Sequence, residues 1–317
     1  MPRERALWIL GYTVFSLFSL FAALYLTFPT EAVAERLSFD IENRTQGALS
    51  LKIGELDLAG ISGIEAENVR LGLGFMEPAL PVVIDEFRAG FGLLPLVLSK
   101  LDFRADAVVG DGQLKTSVQS GEKSGISLAA GWRNIDLNAP PILSSLTGVP
   151  LSGVLSGEAK LSWAQTVNRA NGSFSVGFEN LELGAGEVFP GFAIGTPLGT
   201  GKLMMSYEAK NGTFLLSDFE QSEAAQGGAP ALSLELVEAR IKLNKMIQKT
   251  TFDTCVKFKL EDEYLNRKEN KDLKRALDLL NLQFRKDPEG YFHAALSGDF
   301  SFGRNLRVRK RLCKSTK

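Results

Sequence analysis

The residues able to do chemistry in this chain are few, and their spacing argues against most familiar sites. There is one histidine, His293, and there are two cysteines, Cys255 and Cys313. A zinc centre built from several His and Cys ligands therefore lacks ligands, and so does any triad needing two imidazoles. His293 alternates with Tyr291 and Ala295 as a strand residue would, and no Gly-x-Ser-x-Gly elbow supplies it with a nucleophile. The stretch Gly195-Thr196-Pro197-Leu198-Gly199-Thr200-Gly201-Lys202 has the composition of a phosphate loop. Five residues separate Gly195 from Gly201, one more than that motif allows, and Leu203 stands where a Ser or Thr would reach magnesium. It reads instead as a glycine-rich loop entering a strand. The acids Glu261, Asp262 and Glu263 form a run of the kind that lines a solvated edge. These residues predict no catalytic, metal or cofactor site, and the chain is expected not to be an enzyme.

Charge and composition narrow the classes further. Lys and Arg number 36 against 37 Asp and Glu, a net charge of -1, so there is no basic excess to neutralise nucleic-acid phosphates. Hydrophobic residues make up 44%, enough for a folded core, and 31 glycines suit a chain with many turns. An exported compartment would permit a disulfide between Cys255 and Cys313, but spacing alone leaves the pairing open.

The elements that must position these residues begin with an apolar segment. Residues 6–28, ALWILGYTVFSLFSLFAALYLTF, run for 23 positions without a charge, which is long enough for a transmembrane helix. Trp8 lies near one end and Tyr25 and Phe28 near the other, as interfacial aromatics would, and Arg3 and Arg5 precede the run. These flanks favour a short cytoplasmic N-terminus, residues 1–5, with the rest exported. Ala32-Val33-Ala34 has the form of a signal-peptide cleavage site, yet the apolar run exceeds the usual length of a signal-peptide core. Residues 29–43 read as a juxtamembrane helix, with Thr30 as its cap and Val33, Leu37 and Ile41 on one face.

After this helix the dominant period is two, and residues 44–303 are expected to form one β-rich body. Examples are Leu101-Phe103-Ala105-Ala107-Val109, Ile126-Leu128-Ala130-Trp132 and Val69-Leu71-Leu73-Phe75. Such alternation marks strands with one buried and one open face. Asn171-Gly172 and Asn211-Gly212 are hairpin signals, and Gly110-Asp111-Gly112 punctuates in the same way. The expected fold is mainly β: a long, twisted, antiparallel sheet, partly open or groove-like. Phe103, Trp132, Trp163, Phe174, Phe178 and Tyr207 fall on its inward phase and would line an apolar face. Leu273, Leu277, Leu280 and Phe284 recur at helical spacing and predict an amphipathic helix over residues 263–284. Residues 304–317 form a basic tail with seven Lys and Arg and no acid. A solvated terminus is its default reading; docking on anionic lipid or on an acidic partner are the others.

One family carries this assembly of patterns. The run FPTEAVAERL at 28–37 follows the apolar segment directly. GISGIEAENVRLGL at 60–73, DEFRAGFGLLPLVLSKLDFRADAVVGDGQL at 85–114 and VPLSGVLSGEAKLSW at 149–163 follow in order, with a Gly-Asp-Phe-Ser-Phe ending from Gly298. The chain resembles the type II secretion system protein N (GspN) family and, more distantly, AsmA-like envelope proteins. The resemblance implies a bacterial inner-membrane protein with a single transmembrane helix and a periplasmic β domain. It implies a non-enzymatic role in protein export, with other inner-membrane secretion components as partners. For the AsmA-like alternative it implies lipid bound in an apolar β-groove. No catalytic residue carries over in either case.

Overall fold

A computed structural model describes residues 8, 11–13, 15–16, 19–20, 22–23, 25–45, 49–60, 62–73, 82–121, 125–138, 149–164, 166–189, 192–223, 230–246, 249–281, 286–299, 307–309 and 311–313. The body is a single antiparallel meander. Its 15-stranded sheet runs in the order β1 (Leu49–Lys52), β3 (Gly63–Leu73), β4 (Val82–Phe91), β5 (Leu101–Val109), β6 (Gly112–Gly121), β7 (Gly125–Asp136), β8 (Leu151–Trp163), β9 (Asn171–Leu183), β12 (Leu198–Lys210), β13 (Thr213–Ser222), β14 (Leu232–Lys242), β15 (Thr251–Leu260), β16 (Phe292–Asp299) and β17 (Arg307–Arg309), with β2 (Glu55–Ala59) also paired to β3 and a separate hairpin of β10 (Gly186–Phe189) and β11 (Phe192–Ile194). Nearly every strand therefore lies beside its neighbour in sequence, as short turns between alternating segments require. At Asn211-Gly212 both residues take positive φ, 50° and 73°, and the turn joins β12 (Leu198–Lys210) to β13 (Thr213–Ser222). Asn171-Gly172 does not make a hairpin turn. It opens β9 (Asn171–Leu183), and the reversal before it is a loop with a 3-10 turn at Val167–Arg169. Gly172 is needed there for a different reason, since a Cβ would collide with the carbonyl of Lys160 on β8 (Leu151–Trp163).

The first edge is covered. The helix Thr30–Arg44 lies against β1 (Leu49–Lys52) and β2 (Glu55–Ala59), and its Val33 and Ala34 pack on Leu56, Ala66 and Val69. Pro29, not Thr30, is its N-cap residue, and no side chain caps it. Of the apolar segment 6–28, Trp8, Gly11–Thr13, Phe15, Ser16, Ser19, Leu20, Ala22, Ala23, Tyr25 and Leu26 are helical, and the other positions between them lie outside the described residues. Among the described residues, no helix is long and apolar enough to cross a membrane.

Asparagines mark where the alternation changes phase. Asn68, Asn134 and Asn180 sit inside strands with φ of 53°, 54° and 51°. At Asn134 and Asn180 the ladder shifts register, a β-bulge, whereas the β3–β4 register runs unchanged past Asn68. In β9 the inward residues are Phe174, Val176 and Phe178 before the bulge and Leu181 and Leu183 after it, so even positions give way to odd ones without leaving the face. Gly153 and Gly201 adopt positive φ on the strands flanking Asn180. Gly153, Asn180 and Gly201 thus lie at one level of three adjacent strands, β8, β9 and β12.

One junction in the sheet is thin. β13 pairs with β14 (Leu232–Lys242) through only three residue pairs, Thr213–Leu215 against Lys242–Arg240. Further along, the side chain of Gln221 stands in for the ladder. Its Nε2 donates to the carbonyls of Thr200 and Leu232 at 2.6 and 2.8 Å, and its Oε1 accepts from the Leu234 amide at 2.6 Å.

The expected helix over 263–284 is broken. Asp262–Leu265 is one short helix, Lys268–Asn270 a 3-10 turn, and Lys271–Asn281 a second helix. Leu273 and Leu277 are buried as the periodicity demands, packing with Ile194, Leu198, Leu260, Tyr264 and Phe292, while Phe284 lies outside the described residues. The break exists because Asn270 turns fully inward to bind backbone. The basic tail departs from a solvated terminus. Arg307–Arg309 is β17, paired with β16 (Phe292–Asp299), and Cys313 is bonded to Cys255 with Cα atoms 5.6 Å apart.

Candidate functional site

In an antiparallel ladder directly opposed residues share a face, and the registers put the whole aromatic series on one side. Phe103 on β5 (Leu101–Val109) opposes Val118, Val118 opposes Leu128, and Leu128 opposes Leu161. Trp132 opposes Gly157, which opposes Val176. Trp163 opposes Ile126, Phe178 opposes Leu155 and Leu203, and Phe174 opposes both Ala159 and Tyr207. The rings come together at the centre. Phe174 lies 5.7 Å from Trp132, 5.9 Å from Tyr207 and 6.5 Å from Phe214, centroid to centroid. Close approach here depends on Gly157, whose missing Cβ leaves room for the Trp132 indole. The indole Nε1 has no acceptor among the described residues.

This face is only partly closed. Tyr207 is buried at 7% exposure, but Phe103, Trp132, Trp163, Phe174 and Phe178 are each half-buried. The helix Thr30–Arg44 covers the same face over the first strands, where Ala66 opposes Phe87 and Phe87 opposes Ala107. The Lys271–Asn281 helix covers its far end around Phe258, Leu260 and Phe292. Between them, the cluster of Tyr207, Ala209, Phe214 and Ala239 is packed by strand residues and Leu243 alone. The opposite face is polar, with Ser117, Gln119, Ser127, Lys160 and Ser162 around a shallow depression. The Tyr207 phenol is held above its ordinary range by burial.

The glycine-rich loop is a structural clamp. Asn270 Oδ1 accepts from the amides of Gly195 and Thr196 at 3.2 and 3.1 Å, and Nδ2 donates to Thr196 Oγ1 and the Tyr264 carbonyl at 3.0 and 2.9 Å. The Tyr264 hydroxyl donates to the Thr196 carbonyl. Gly195 is required because a Cβ would strike the Glu269 carbonyl. Burial raises the Tyr264 hydroxyl above its ordinary range, although its hydrogen bonds to Thr196 and Asn270 pull the other way.

His293 is likewise spoken for on both nitrogens. Nε2 lies 3.1 Å from Asp287 Oδ2, and Nδ1 accepts from the Cys313 amide at 3.0 Å. That pattern places the single ring proton on Nε2. Burial works against ionisation of Asp287, but amide hydrogen bonds from Tyr291 and Glu289 and the bond from His293 outweigh it and hold the carboxyl below its usual range. The Asp287–Gly290 turn, His293 and the Cys255–Cys313 bond together fasten the last segment of the chain to the sheet. Glu261 flanks the short helix that Asp262 and Glu263 open. Among the described residues, no group of three His, Cys, Asp or Glu could hold a metal ion.

Sequence reasoning missed Gln221, Asn270 and Asp287. Gln221 left a trace, a polar residue in the inward phase of an alternating strand; the other two left none. No family model matches the chain, and no curated protein or solved structure does so significantly.

Proposed function

We propose that the chain is a non-enzymatic component of a type II secretion system, held in the bacterial inner membrane by residues 6–28 and presenting its sheet in the periplasm. Its apolar face is the surface that engages another inner-membrane component. The observation that carries this reading is the half-open aromatic face between the two covering helices. A contiguous apolar patch of this kind on a soluble body is normally covered by a partner. The edges are poorer candidates for strand addition. One is sheltered by the Thr30–Arg44 helix, and the other is the three-residue β17 with exposed Arg307 and Arg309.

A second reading has its own observation. The ring series Trp132–Phe174–Tyr207 is unbroken by a charged side chain, which suits acyl chains of phospholipid held in an AsmA-like groove. One experiment separates the two. The full chain, purified in mild detergent, is assayed for phospholipid by mass spectrometry, and a photo-cross-linker at Phe178 is activated in cells. Cross-links to inner-membrane secretion components without bound lipid support the secretion reading. Near-stoichiometric phospholipid without such cross-links would overturn it in favour of the lipid groove. A periplasm-dependent reporter fused after Lys317 should be active; an inactive fusion would remove the topology on which both readings stand.

A further inference from the structure

The connection between β4 (Val82–Phe91) and β5 carries the most exposed apolar cluster of the described sheet. Leu93–Val97 forms a single helical turn there. Leu94 is 80% exposed, Val97 82% and Leu98 64%, and Phe91, Leu93 and Leu96 are exposed as well. The display is built in by backbone bonding. The Leu96 amide bonds the Gly92 carbonyl at 3.1 Å, the Lys100 amide bonds Pro95 at 2.8 Å, and the Gly92 amide bonds Asp102 at 2.7 Å. Ser99 closes the turn at a φ of 56°. A rigid turn that holds five aliphatic side chains out of the fold has to meet something apolar.

Its place in the fold indicates what that is. Ser62, in the β2–β3 connection, bonds Phe91 through backbone and side chain, so the two connections lie side by side at one end of the sheet. Tyr25, near the end of the N-terminal apolar run, donates its hydroxyl to the Leu58 carbonyl on β2 at 3.3 Å, at this same end. The turn is thus set beside the point where the apolar segment joins the body. Exposed Lys100 follows it, placed to reach lipid phosphate while the aliphatic groups point onward. Asp102, the next carboxylate along the chain, is largely shielded from solvent and paired with Arg104 at 3.2 Å.

We propose that Phe91–Leu98 is a membrane-dipping tip, whose side chains enter the interfacial region of the bilayer that holds residues 6–28, on its periplasmic side. The inference rests on the anchor reading of that segment. The tip fixes the sheet at a second point beside the anchor, so the sheet cannot swivel about a single helix. It also leads to the aromatic face, because the Phe91 ring lies 5.1 Å from that of Phe103.

Leu94→Cys in the full chain gives one reactive thiol, since Cys255 and Cys313 are bonded to each other. The protein is labelled with a polarity-sensitive fluorophore and reconstituted into vesicles of phosphatidylethanolamine and phosphatidylglycerol, with and without lipids brominated on their acyl chains. The Leu94 label should shift to the blue and lose about half or more of its emission to the bromines. A label at Asp111, in the turn at the other end of β5, should show neither change. An unquenched Leu94 label overturns the tip, and a protein partner or a second copy then becomes its occupant. The same measurement at Ala22→Cys reads the anchor separately. Quenching at Ala22 without quenching at Leu94 sinks the tip alone; quenching at Leu94 without Ala22 sinks the anchor and, with it, the tip as a second attachment point beside it.

Discussion

Two polar side chains, Asn270 and Asp287, hold the C-terminal third of this protein in place. Asn270 satisfies two amides, a hydroxyl and a carbonyl from a fully buried position. Truncating it leaves those groups buried without partners, so Asn270→Ala should cost about 3 kcal/mol in chemical denaturation, well above the surface norm. A Gly195→Ala variant should behave similarly, through collision with Glu269. Asp287 makes a pH prediction whose sign follows from its depressed titration. Its folded form favours the carboxylate, so the stability it contributes is complete above the ordinary carboxylate range and is lost as pH falls through the folded value. Asp287→Asn should therefore lower the melting temperature at neutral pH and flatten its fall toward acid. If variant and parent lose the same number of degrees on acidification, the hydrogen bonds from Tyr291, Glu289 and His293 do not set that titration.

At the level of elements, alternation made the strands legible, because a sheet with one apolar face writes its period directly into the sequence. The inward phase of Phe103, Trp132 and Phe174 could be read without coordinates. The bulges could not, because a single Asn at positive φ looks like any polar residue until the phase on either side is compared. That reading has a direct check at Asn180. Asn180→Gly should stay within about 0.5 kcal/mol of the parent, while Asn180→Val, which resists the left-handed region, should cost about 1–2 kcal/mol. Equal stabilities would mean that the strand does not need that conformation. The broken helix at 262–281 escaped for a related reason, since helical spacing of Leu273 and Leu277 does not reveal that Asn270 is drawn out of the helix by a loop some 75 residues away in sequence. The tail misled through its charge: seven basic residues suggest solvent, yet Cys313 is buried. Cys313→Ser should cost about 2–4 kcal/mol. It should also speed hydrogen exchange in β16 and β17 while leaving β5 to β8 unchanged.

At the scale of the whole molecule the sheet has a weak joint. Between β13 and β14 the ladder itself is held by three residue pairs and one glutamine side chain, while the Asn270 clamp and the apolar clusters around Leu198 and Phe214 span the joint from the side. Gln221→Ala should uncouple the strands on its two sides, so that calorimetry shows two transitions where the parent shows one; a single transition shifted downward would mean that the aromatic cluster around Phe214 and Ala239 carries the coupling. The order of strands along the sheet follows the order of strands along the chain, apart from β1 and β2, which both pair with β3, and the separate β10-β11 hairpin. A chain that emerges N-terminus first can therefore add each strand to a surface already formed, with little delay for distant segments to find each other. The bond between Cys255 and Cys313 cannot close until the segment beyond β17 has arrived. Until then Cys255 remains a free thiol, so its reactivity toward an alkylating reagent times the docking of the final strands.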